Sequence, residues 1–353
     1  MSTLLIMAGG TGGHIFPALA VAEVLRQQGW KIVWLGVPGS MEAELVPKHG
    51  YPLAWVNFRG LRGKGLLRKL ALPFNLLRAL WQSAAAIRQH QPDVVLGMGG
   101  YITFPGGLAA RLLGKPLLIH EQNSVAGLSN RALAWLAQRV LSGFPAVLPG
   151  AEWCGNPVRA AICRLPAPAV RYAARTGPLR VLVVGGSLGA QALNQTVPAA
   201  LELLPAEQRP DVRHQTGKPH FAAVEQLYQK MGVTADIRPF LDDMAEQYAW
   251  ADVVLCRAGA LTVAELTAAG VASVLVPFPF AVDDHQTRNA DFLVEHEAGV
   301  CLPQTALNAE KLAHLFAESS RAQWQVMAQK AHALAKPDAA QQVAAVCQAL
   351  ASS

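Results

Sequence analysis

The sequence predicts an α/β fold made of two doubly wound parallel-sheet domains. Short apolar runs alternate with helix-like segments along both halves of the chain, which is typical of parallel βαβ units. A glycine-rich turn follows the first apolar run of each half, at Gly9–Gly13 and at Gly185–Gly189. The length of 353 residues is enough for about two domains, each with its own core.

The first half contains five strand-like runs that are short and rich in Val, Ile and Leu, as expected for strands buried on both faces. They lie at Leu4–Ala8, Lys31–Gly36, Asp93–Gly97, Lys115–Ile119 and Arg139–Ser142. Helix-like segments occur between them at Phe16–Gln28 and Asn75–Gln89. Gly29 is expected to end the first helix, because glycine readily adopts the left-handed conformation that ends many helices.

The second half repeats this alternation. Strand-like runs lie at Arg180–Val184, Val212–Gln215, Ala235–Pro239, Asp252–Cys256 and Ala272–Val276. A helix is predicted over Ala258–Ala269 and ends at Gly270, and the tail Arg321–Leu350 is predicted to be helical. Between the halves, Pro145–Pro178 is rich in Pro, Gly, Ala and Arg. We interpret it as the connection between the domains, centred on Gly155–Arg159.

Composition excludes several classes of protein. Apolar residues make up 52% of the chain and charged residues 15%, which is typical of a core-rich globular protein. The five cysteines are scattered without a CxxC pair, so neither a disulfide framework nor a zinc site is indicated, and a reducing compartment is expected. The apolar runs are shorter than the roughly 18–20 residues of a membrane span. The net charge of +6 leaves an anionic partner open.

The turn Gly9–Gly13 has the composition of a phosphate site. A strand that runs through glycines into a helix presents backbone N–H groups at the helix N-terminus. A nicotinamide-dependent oxidoreductase is disfavoured, because the third fingerprint glycine is missing and the second strand ends without a carboxylate. His14, at the mouth of the predicted helix, is suited to proton transfer or phosphate contact. The alternative is a tight turn that binds nothing.

Two further polar segments follow predicted strands of the first half. Gly97–Tyr101 indicates either a close approach of the backbone to another group or a tight strand-to-helix corner. His120–Asn123 lies at the carboxyl end of a strand, where open α/β sheets bind ligands, although a capped turn is the alternative.

The corresponding junction of the second half is Arg257–Glu265. Its glycine permits the turn, the N–H groups of Ala260–Thr262 would face a phosphate, and Glu265 could accept hydrogen bonds from ribose hydroxyls. Alternatively, Glu265 only complements the helix dipole. The polar cluster Asp283–Gln286 lacks a second group with metal-ligand spacing, and the chain has no D-x-D pair, so no metal site is predicted.

The segment Leu61–Trp81 combines five basic residues with bulky apolar ones and contains no acidic residue. This pattern is typical of an element that lies in the interface of an anionic membrane. A core helix with solvated basic residues is the alternative. Nucleic acid is disfavoured, because the aromatic residues are too few to form stacking platforms.

Seven motifs in this order resemble the MurG family of bacterial peptidoglycan glycosyltransferases, over essentially the full chain. They are GGTGGHIFPALAVA, GMGGYITFP, HEQNSVAGLSN, GNPVR, GGSLGA, RAGALTVAEL and DDHQTRNA. The resemblance implies a GT-B fold, in which two Rossmann-like domains face a cleft. Residues 1–157 would form the acceptor-binding and membrane-associating domain, residues 158–333 the UDP-sugar domain, and a helix at about 334–353 would pack back on the first domain.

The resemblance implies an inverting hexosyltransferase that moves N-acetylglucosamine from UDP-N-acetylglucosamine to the C4 hydroxyl of an undecaprenyl-diphospho-N-acetylmuramoyl-pentapeptide. This reaction converts lipid I to lipid II in cell-wall synthesis, and so serves cell shape and division. No cofactor is implied. The enzyme would be peripheral, on the cytoplasmic face of the inner membrane, bound through about Leu61–Trp81. Other cell-wall proteins would be possible partners.

The family's donor contacts fall on fourteen residues here: Thr11, Gly12, Gly13, Asn123, Arg159, Ser187, Leu241, Ala260, Leu261, Thr262, Val263, Ala264, Glu265 and Gln286. Arg159 and Ser187 would hold the diphosphate, and Leu241 would bond the uracil through its backbone. His14 would be the general base or would contact the acceptor diphosphate. A UDP-N-acetylglucosamine 2-epimerase and a non-catalytic sugar-nucleotide sensor remain as alternatives.

Overall fold

The computed structural model describes residues 1–58, 66–186 and 189–352. The chain divides into two units, Met1–Arg159 with Lys336–Ser353, and Ala160–Ala335. Within the described residues, each unit contains one parallel β-sheet with helices packed on it. In the same part of the chain, no helix combines the length and apolar character that crossing a bilayer requires.

The first unit begins with alternating strands and helices. They are β1 (Thr3–Met7), α1 (Gly12–Gln27), β2 (Lys31–Gly36), α2 (Met41–Lys48), β3 (Leu53–Trp55), α3 (Leu66–His90), β4 (Val94–Gly97), α4 (Thr103–Leu112), β5 (Leu117–Glu121), α5 (Leu128–Ala134), β6 (Arg139–Ser142) and β7 (Glu152–Trp153).

The second unit repeats the alternation. It contains α6 (Ala160–Cys163), α7 (Pro168–Ala173), β8 (Arg180–Val184), α8 (Gln191–Leu203), β9 (Asp211–Gln215), α9 (Phe221–Lys230), β10 (Asp236–Arg238), α10 (Met244–Trp250), β11 (Val253–Cys256), α11 (Ala260–Ala269), β12 (Ala272–Leu275), α12 (His285–Val294), β13 (Val300–Cys301), α13 (Ala309–Glu318) and α14 (Arg321–Ala333). The chain then returns to the first unit as α15 (Ala339–Ala351).

In the described chain, the strands of the first unit lie in the order β3-β2-β1-β4-β5-β6-β7, and those of the second in the order β10-β9-β8-β11-β12-β13. All pairs are parallel; for example, Leu5 lies opposite Val33 on one side and Val95 on the other. The order reverses between β1 and β4 and again between β8 and β11. Loops diverge at such points on the carboxyl edge of a sheet, which leaves a crevice where α/β proteins bind ligands.

The C-terminal tail departs from its prediction as a single helix. It breaks between Ala333 and Ala339 into α14 and α15. Pro337 lies in this break; it has no N–H to donate, and its ring disfavours the helical conformation of the residue before it. The second piece packs on α1, and Val343, Ala344 and Cys347 join the buried core of the first unit.

The predicted connection Pro145–Pro178 also contains regular structure. It includes the short edge strand β7 and the helices α6 and α7. The last two lie in the second unit, where Arg171 of α7 bonds to its core. Arg171 donates to the carbonyls of Ala269 and Gly270 at the end of α11, and to that of Tyr248 in α10.

A buried carboxylate joins three segments of the second unit. The Asp252 side chain is fully buried and accepts from Arg175 at 2.5 Å and from Arg321 at 3.0 Å. It also accepts from the backbone N–H of Arg180, at the start of β8, at 2.9 Å. The Asp252 carboxylate therefore ties the segment after α7 and the start of α14 to the amino edge of the sheet, and its two cations compensate for its lost hydration.

Two histidines are buried as neutral rings, one in each unit. Burial lowers the pKa of His120 to about 4 and that of His214 to about 3. The Nε2 of His120 donates to the carbonyl of Gly155 at 2.9 Å. His214 donates from Nε2 to Asn194 Oδ1 at 3.1 Å and accepts at Nδ1 from the Tyr228 hydroxyl at 2.9 Å. The bonding of both rings is therefore that of the neutral form.

These two rings predict a loss of stability in acid. The unfolded chain protonates histidine near pH 6.5, whereas the folded chain resists protonation down to about pH 4 and 3, so the stability contribution is complete above pH 6.5 and is lost as the pH falls. We expect the free energy of unfolding to be about 3–5 kcal/mol smaller at about pH 4.5 than at about pH 7.5. Urea titrations at the two pH values measure this difference.

The variant His120→Gln keeps a donor for the Gly155 carbonyl but does not titrate, so it should remove about half of the pH dependence. The matched control is His49→Gln, because His49 is exposed at the end of α2. A pH dependence that is equal in wild type and His120→Gln would contradict this explanation.

Candidate active site

The loop between β1 and α1 presents a helix N-terminus at the crevice of the first sheet. The helix begins at Gly12, four residues earlier than Phe16, where the sequence analysis placed its start. Thr11 is the N-cap residue in extended conformation, and its side chain makes no capping hydrogen bond. Thr11, Gly12, Gly13 and His14 therefore lie together at the first turn of α1, where the N–H of His14 donates to Thr11 O at 3.1 Å and those of Gly12 and Gly13 face the helix end.

The glycine turns after β1 and β4 contact each other through their backbones. The N–H of Gly9 donates to Gly99 O at 3.4 Å, and a Cβ at position 100 would lie only 2.4 Å from Gly9 O. Gly100 also has a φ of +91°, a region that side chains disfavour. Of the two interpretations of Gly97–Tyr101, the close approach applies, and the group approached is the first glycine turn.

His14 is bonded to that turn by one ring nitrogen. Its Nδ1 lies 3.1 Å from Gly9 O and 3.4 Å from Thr11 Oγ1. A carbonyl oxygen only accepts, so the bond to Gly9 requires a proton on Nδ1. In the neutral ring, Nε2 is then the unprotonated nitrogen. The ring is half-buried and lies against the β4 turn, since a Cβ at Gly99 would be 2.9 Å from Nε2.

Glu42 lies beneath the same turn, and no motif in the sequence predicted it as a site residue. Its side chain is fully buried, Oε2 accepts from the N–H of Gly10 at 3.0 Å, and Oε1 accepts from that of Val37 at 3.4 Å. In the sequence it follows Ser40 as one of two acidic residues in the first turn of α2, a common pattern at helix starts. Only its complete burial distinguishes it from Glu44.

The segment His120–Asn123 at the end of β5 is chiefly a structural junction. Glu121 is buried, and its two oxygens accept from Asn123 N at 2.9 Å, Gly127 N at 3.1 Å and Asn130 Nδ2 at 2.9 Å. Gln122 is also buried, and its carbonyl accepts from Asn156 at 2.9 Å. Asn123 is partly exposed at the carboxyl edge of the sheet. Of the four side chains, Asn123 is the one that a ligand reaches most readily.

Arg159 ends the first unit beside α1. Its guanidinium lies over the ring of Phe16, 5.9 Å from the ring centre. Phe16 is in the second turn of α1, close to the N-terminal glycines, and Gly12 lies against its ring. The structure therefore places the positive charge of Arg159 near the helix end that carries Thr11, Gly12 and Gly13.

The second unit presents a similar helix end at the crevice between β8 and β11. The helix α11 begins at Ala260, two residues after its predicted start, and its extended N-cap residue Gly259 has no side chain to cap the helix. The stretch from Ala260 to Glu265, with Leu261, Thr262, Val263 and Ala264, forms its first two turns. Glu265 is 6% exposed, and its Oε2 accepts at 3.0 Å from the buried hydroxyl of Tyr248 in α10.

The remaining predicted donor residues follow other strands of this unit. Leu241 is buried after β10, and Gln286 lies in α12, where its Oε1 accepts from Phe278 N at 2.9 Å. Asp283 and Asp284 precede α12 with left-handed φ angles of 52° and 50°. Ser187, predicted to hold the diphosphate, lies outside the described residues. In the described chain, no group of three or more His, Cys, Asp or Glu side chains is arranged to hold a metal ion.

Comparison with known proteins identifies the family. A model described as the glycosyltransferase family 28 N-terminal domain matches residues 4–142, and one described as the C-terminal domain of that family matches residues 180–343. The chain is 62% identical over 351 residues, 99% of each sequence, to a UDP-N-acetylglucosamine--N-acetylmuramyl-(pentapeptide) pyrophosphoryl-undecaprenol N-acetylglucosamine transferase of Azoarcus sp. (strain BH72).

An enzyme of the same name from Aromatoleum aromaticum is 61% identical over 352 residues, which is 100% of this chain and 99% of that one. The crystal structure of Acinetobacter baumannii MurG is 43% identical, with a TM-score of 0.86 over 99% of this chain and 100% of that one. This likeness confirms the predicted GT-B fold class. The chain belongs to glycosyltransferase family 28, among the UDP-N-acetylglucosamine--N-acetylmuramyl-(pentapeptide) pyrophosphoryl-undecaprenol N-acetylglucosamine transferases.

Proposed function

We propose that this chain is an inverting hexosyltransferase that converts lipid I to lipid II in peptidoglycan biosynthesis. It moves N-acetylglucosamine from UDP-N-acetylglucosamine to the C4 hydroxyl of undecaprenyl-diphospho-N-acetylmuramoyl-pentapeptide. The observation that carries the proposal is the 62% identity, over 99% of both chains, to a transferase named for this donor and this acceptor.

The donor is proposed to bind chiefly at the crevice of the second sheet. The uncapped N-terminus of α11 offers N–H groups to the diphosphate, and Glu265 in its second turn offers a carboxylate to the ribose. Tyr248 supports this role, because its hydroxyl fixes the orientation of that carboxylate. The backbone of Leu241 would bond the uracil and Gln286 the sugar hydroxyls. Further proposed contacts are Thr11, Gly12, Gly13, Asn123, Arg159, Ser187 and the residues Ala260–Ala264.

Inversion by a single in-line displacement requires a base for the acceptor hydroxyl and charge stabilisation for departing UDP. His14 is proposed as the base, because the bond of Nδ1 to Gly9 leaves Nε2 as the proton acceptor of the neutral ring. Contact with the acceptor diphosphate is its alternative role. Helix N-termini and Arg159 would stabilise the charge on UDP, so the proposed reaction needs no metal or other cofactor.

The acceptor requires access to a membrane, and α3 carries a surface suited to one. Phe74, Leu77 and Trp81 are spaced as i, i+3 and i+7, and they are between 64 and 72% exposed. Leu76 and Leu80, on another face, pack against the core. One face of this helix therefore packs in the core, and its exposed apolar face supports the membrane interpretation. Of the predicted segment Leu61–Trp81, residues 61–65 and the side chains of residues 66–71 lie outside the described part of the chain.

We therefore propose peripheral attachment through α3 to the cytoplasmic face of the inner membrane. An exposed apolar stripe beside Arg78 would enter the headgroup region of an anionic bilayer. Other cell-wall proteins are possible partners at this surface.

The proposed function is tested by UDP release. The purified protein is incubated with UDP-N-acetylglucosamine, with and without a polyprenyl-diphospho-N-acetylmuramoyl-pentapeptide. We expect UDP and a disaccharide product only when the acceptor is present, because the displacement needs the C4 hydroxyl as nucleophile. Conversion of UDP-N-acetylglucosamine to its 2-epimer would instead support the epimerase alternative. Donor binding without turnover of either kind would support the sugar-nucleotide sensor.

Glu265→Ala should weaken donor binding, and the structure adds a complication to that experiment. Loss of hydrogen bonds to a charged group corresponds to roughly 1.5–3 kcal/mol, or about ten- to a hundredfold in affinity. The alanine variant also leaves the buried Tyr248 hydroxyl without this acceptor, which would lower stability. Glu265→Gln keeps an acceptor for Tyr248 and removes the charge, so it should weaken UDP binding with little change in melting temperature.

Calorimetric titration with UDP and a melting curve measure the two effects separately. The matched control is Glu246→Gln, an exposed glutamate of α10, which should change neither. Wild-type UDP affinity in Glu265→Gln would make Glu265 a purely structural residue.

The apolar stripe predicts the membrane behaviour of variants. Replacing Phe74, Leu77 and Trp81 by Ser should reduce cosedimentation with anionic vesicles, because these side chains can supply the apolar contact. Binding should also weaken with salt and when Arg62, Lys64, Arg68 and Lys69 are changed to Gln, at about 1 kcal/mol per basic residue near the surface.

The matched control replaces Val170, Leu203 and Val326 by Ser, since these exposed apolar residues lie in the second unit. Activity on a short-chain soluble acceptor should stay near normal in all variants. If the α3 triple variant and the basic quadruple variant both sediment like wild type, α3 is not the membrane contact.

A further inference from the structure

One peptide group in the first unit is bonded at both ends by titratable side chains. The peptide between Gly9 and Gly10 donates its N–H to Glu42 Oε2 at 3.0 Å. Its carbonyl oxygen lies 3.1 Å from His14 Nδ1 and accepts from it. The carboxylate, the peptide and the imidazole thus form one continuous chain of two hydrogen bonds. Glu42 and His14 are not neighbours in the sequence and share no motif, so only the folded structure links them.

The arrangement is built around Glu42. Its side chain is fully buried, and a Cβ at Gly9 would lie 2.8 Å from its Oε1, so the first glycine turn closes directly over the carboxylate. The position of Glu42 in α2 is in turn set by Ser40, whose hydroxyl caps this helix. A surface glutamate that only complemented the dipole of α2, as Glu44 can, would not need this recess.

Other titratable groups are carried by the described elements next to this turn. They are Tyr101 after β4, His120 and Glu121 in β5, and Arg159 beside α1. His120 and Glu121 are buried with their own hydrogen-bond partners. The Tyr101 ring lies against Gly10. The bonded route to Nδ1 through the Gly9–Gly10 peptide therefore starts at Glu42.

We propose that Glu42 is a positioning residue for the transfer reaction, acting on His14 through the Gly9–Gly10 peptide. A peptide that donates to a carboxylate becomes a better acceptor at its carbonyl, because its C–N resonance moves electron density to the oxygen. The stronger acceptor holds the proton on Nδ1 and so keeps Nε2 ready for the acceptor hydroxyl. The negative charge also stabilises the imidazolium that forms.

This inference rests on the proposed function, in which His14 is the base. In that step, the O–H bond of the acceptor C4 hydroxyl breaks and its proton goes to Nε2. The C4 oxygen forms a bond to C1 of N-acetylglucosamine, and the bond from C1 to the β-phosphate oxygen breaks with its electron pair on UDP. The imidazolium then carries the proton on Nε2, while Nδ1 keeps its bond to Gly9, so Glu42 needs no proton of its own.

The first test is a measurement on the unaltered protein. Nitrogen-15 NMR of labelled histidine distinguishes the two neutral tautomers, and the His14 signals are identified by their loss in His14→Gln. We expect the tautomer with the proton on Nδ1. The Nε2-protonated tautomer would overturn the proposal without any assay of activity.

The second test is the pH dependence of turnover. His14→Ala should reduce the turnover number by about 10²- to 10⁴-fold while UDP affinity stays near normal. In Glu42→Gln, the acid limb of the profile should move to lower pH by about one unit, as expected for a charge roughly 8 Å away. The plateau should fall about three- to tenfold, because the base is weaker. KM for the donor should change less than about twofold.

Glu44→Gln is the matched control: the same substitution in the same helix, on an exposed side chain, and it should leave the profile unchanged. An unmoved acid limb in active Glu42→Gln would overturn the proposal and leave the proposed function intact. If the wild-type protein showed no acceptor-dependent turnover, the proposed function would fail instead. The NMR titration of His14 in free Glu42→Gln and wild type would then still measure the coupling. Equal midpoints would overturn it, and a midpoint about one unit lower in Glu42→Gln would support it.

Discussion

The candidate site of the first unit depends on a contact between two backbones. Gly9 and Gly100 approach so closely that a single methyl group at position 100 would overlap the Gly9 carbonyl. Gly106, in α4, lies as tightly against Met7 at the end of β1. Because β1 and β4 are neighbours at the reversal of strand order, their loops would otherwise diverge. Glycine at these positions brings them together, so that the loop after β4 supports the ring of His14.

In the second unit, side chains rather than glycine contacts hold the helix beside the crevice in place. Its glycine-flanked helix α11 is held through Tyr248 and Arg171, which bond to its second turn and its last carbonyls, respectively. Tyr248 belongs to α10, and Arg171 also donates to its backbone carbonyl. Asp252, which is paired with Arg175 and Arg321, follows directly after α10. A buried ionic network is costly unless every charge in it has a partner. Here the network joins segments far apart in the sequence, so it specifies which helix packs against which strand.

The sequence alone predicted the parallel sheets well, because central strands are buried on both faces and appear as continuous apolar runs. The runs at Lys31–Gly36, Arg139–Ser142 and Arg180–Val184 coincide with β2, β6 and β8. The edge strands β3, β7 and β13, two or three residues long, were not predicted, whereas the equally short edge strand β10 lies within the predicted run Ala235–Pro239. Their pairing comes from the neighbouring strand rather than from their own composition.

The candidate site was predictable where its residues stand in local sequence motifs. Thr11, Gly12, Gly13 and His14 share one helix turn because the motif is local. Glu42 belongs to the candidate site only because it is buried beneath the first glycine turn. That burial results from tertiary packing, which a short sequence pattern does not reveal. Tyr248 was missed for the same reason, since 17 residues separate it from Glu265. His120 shows the converse: its position at the end of β5 suggested a ligand contact, but tertiary packing made it a neutral core residue.

The return of α15 to the first unit has a consequence for how the protein forms in the cell. Val343, Ala344 and Cys347 belong to the same buried cluster as Leu4 and Ile6, so the first core contains the beginning and the end of the chain. Ribosomes add about 5–20 residues per second, and domains generally fold in the order of synthesis. Here the first unit to be synthesised is the last to be completed. Until α15 is synthesised, the face of α1 that it covers stays exposed, although the second unit already has its full sequence.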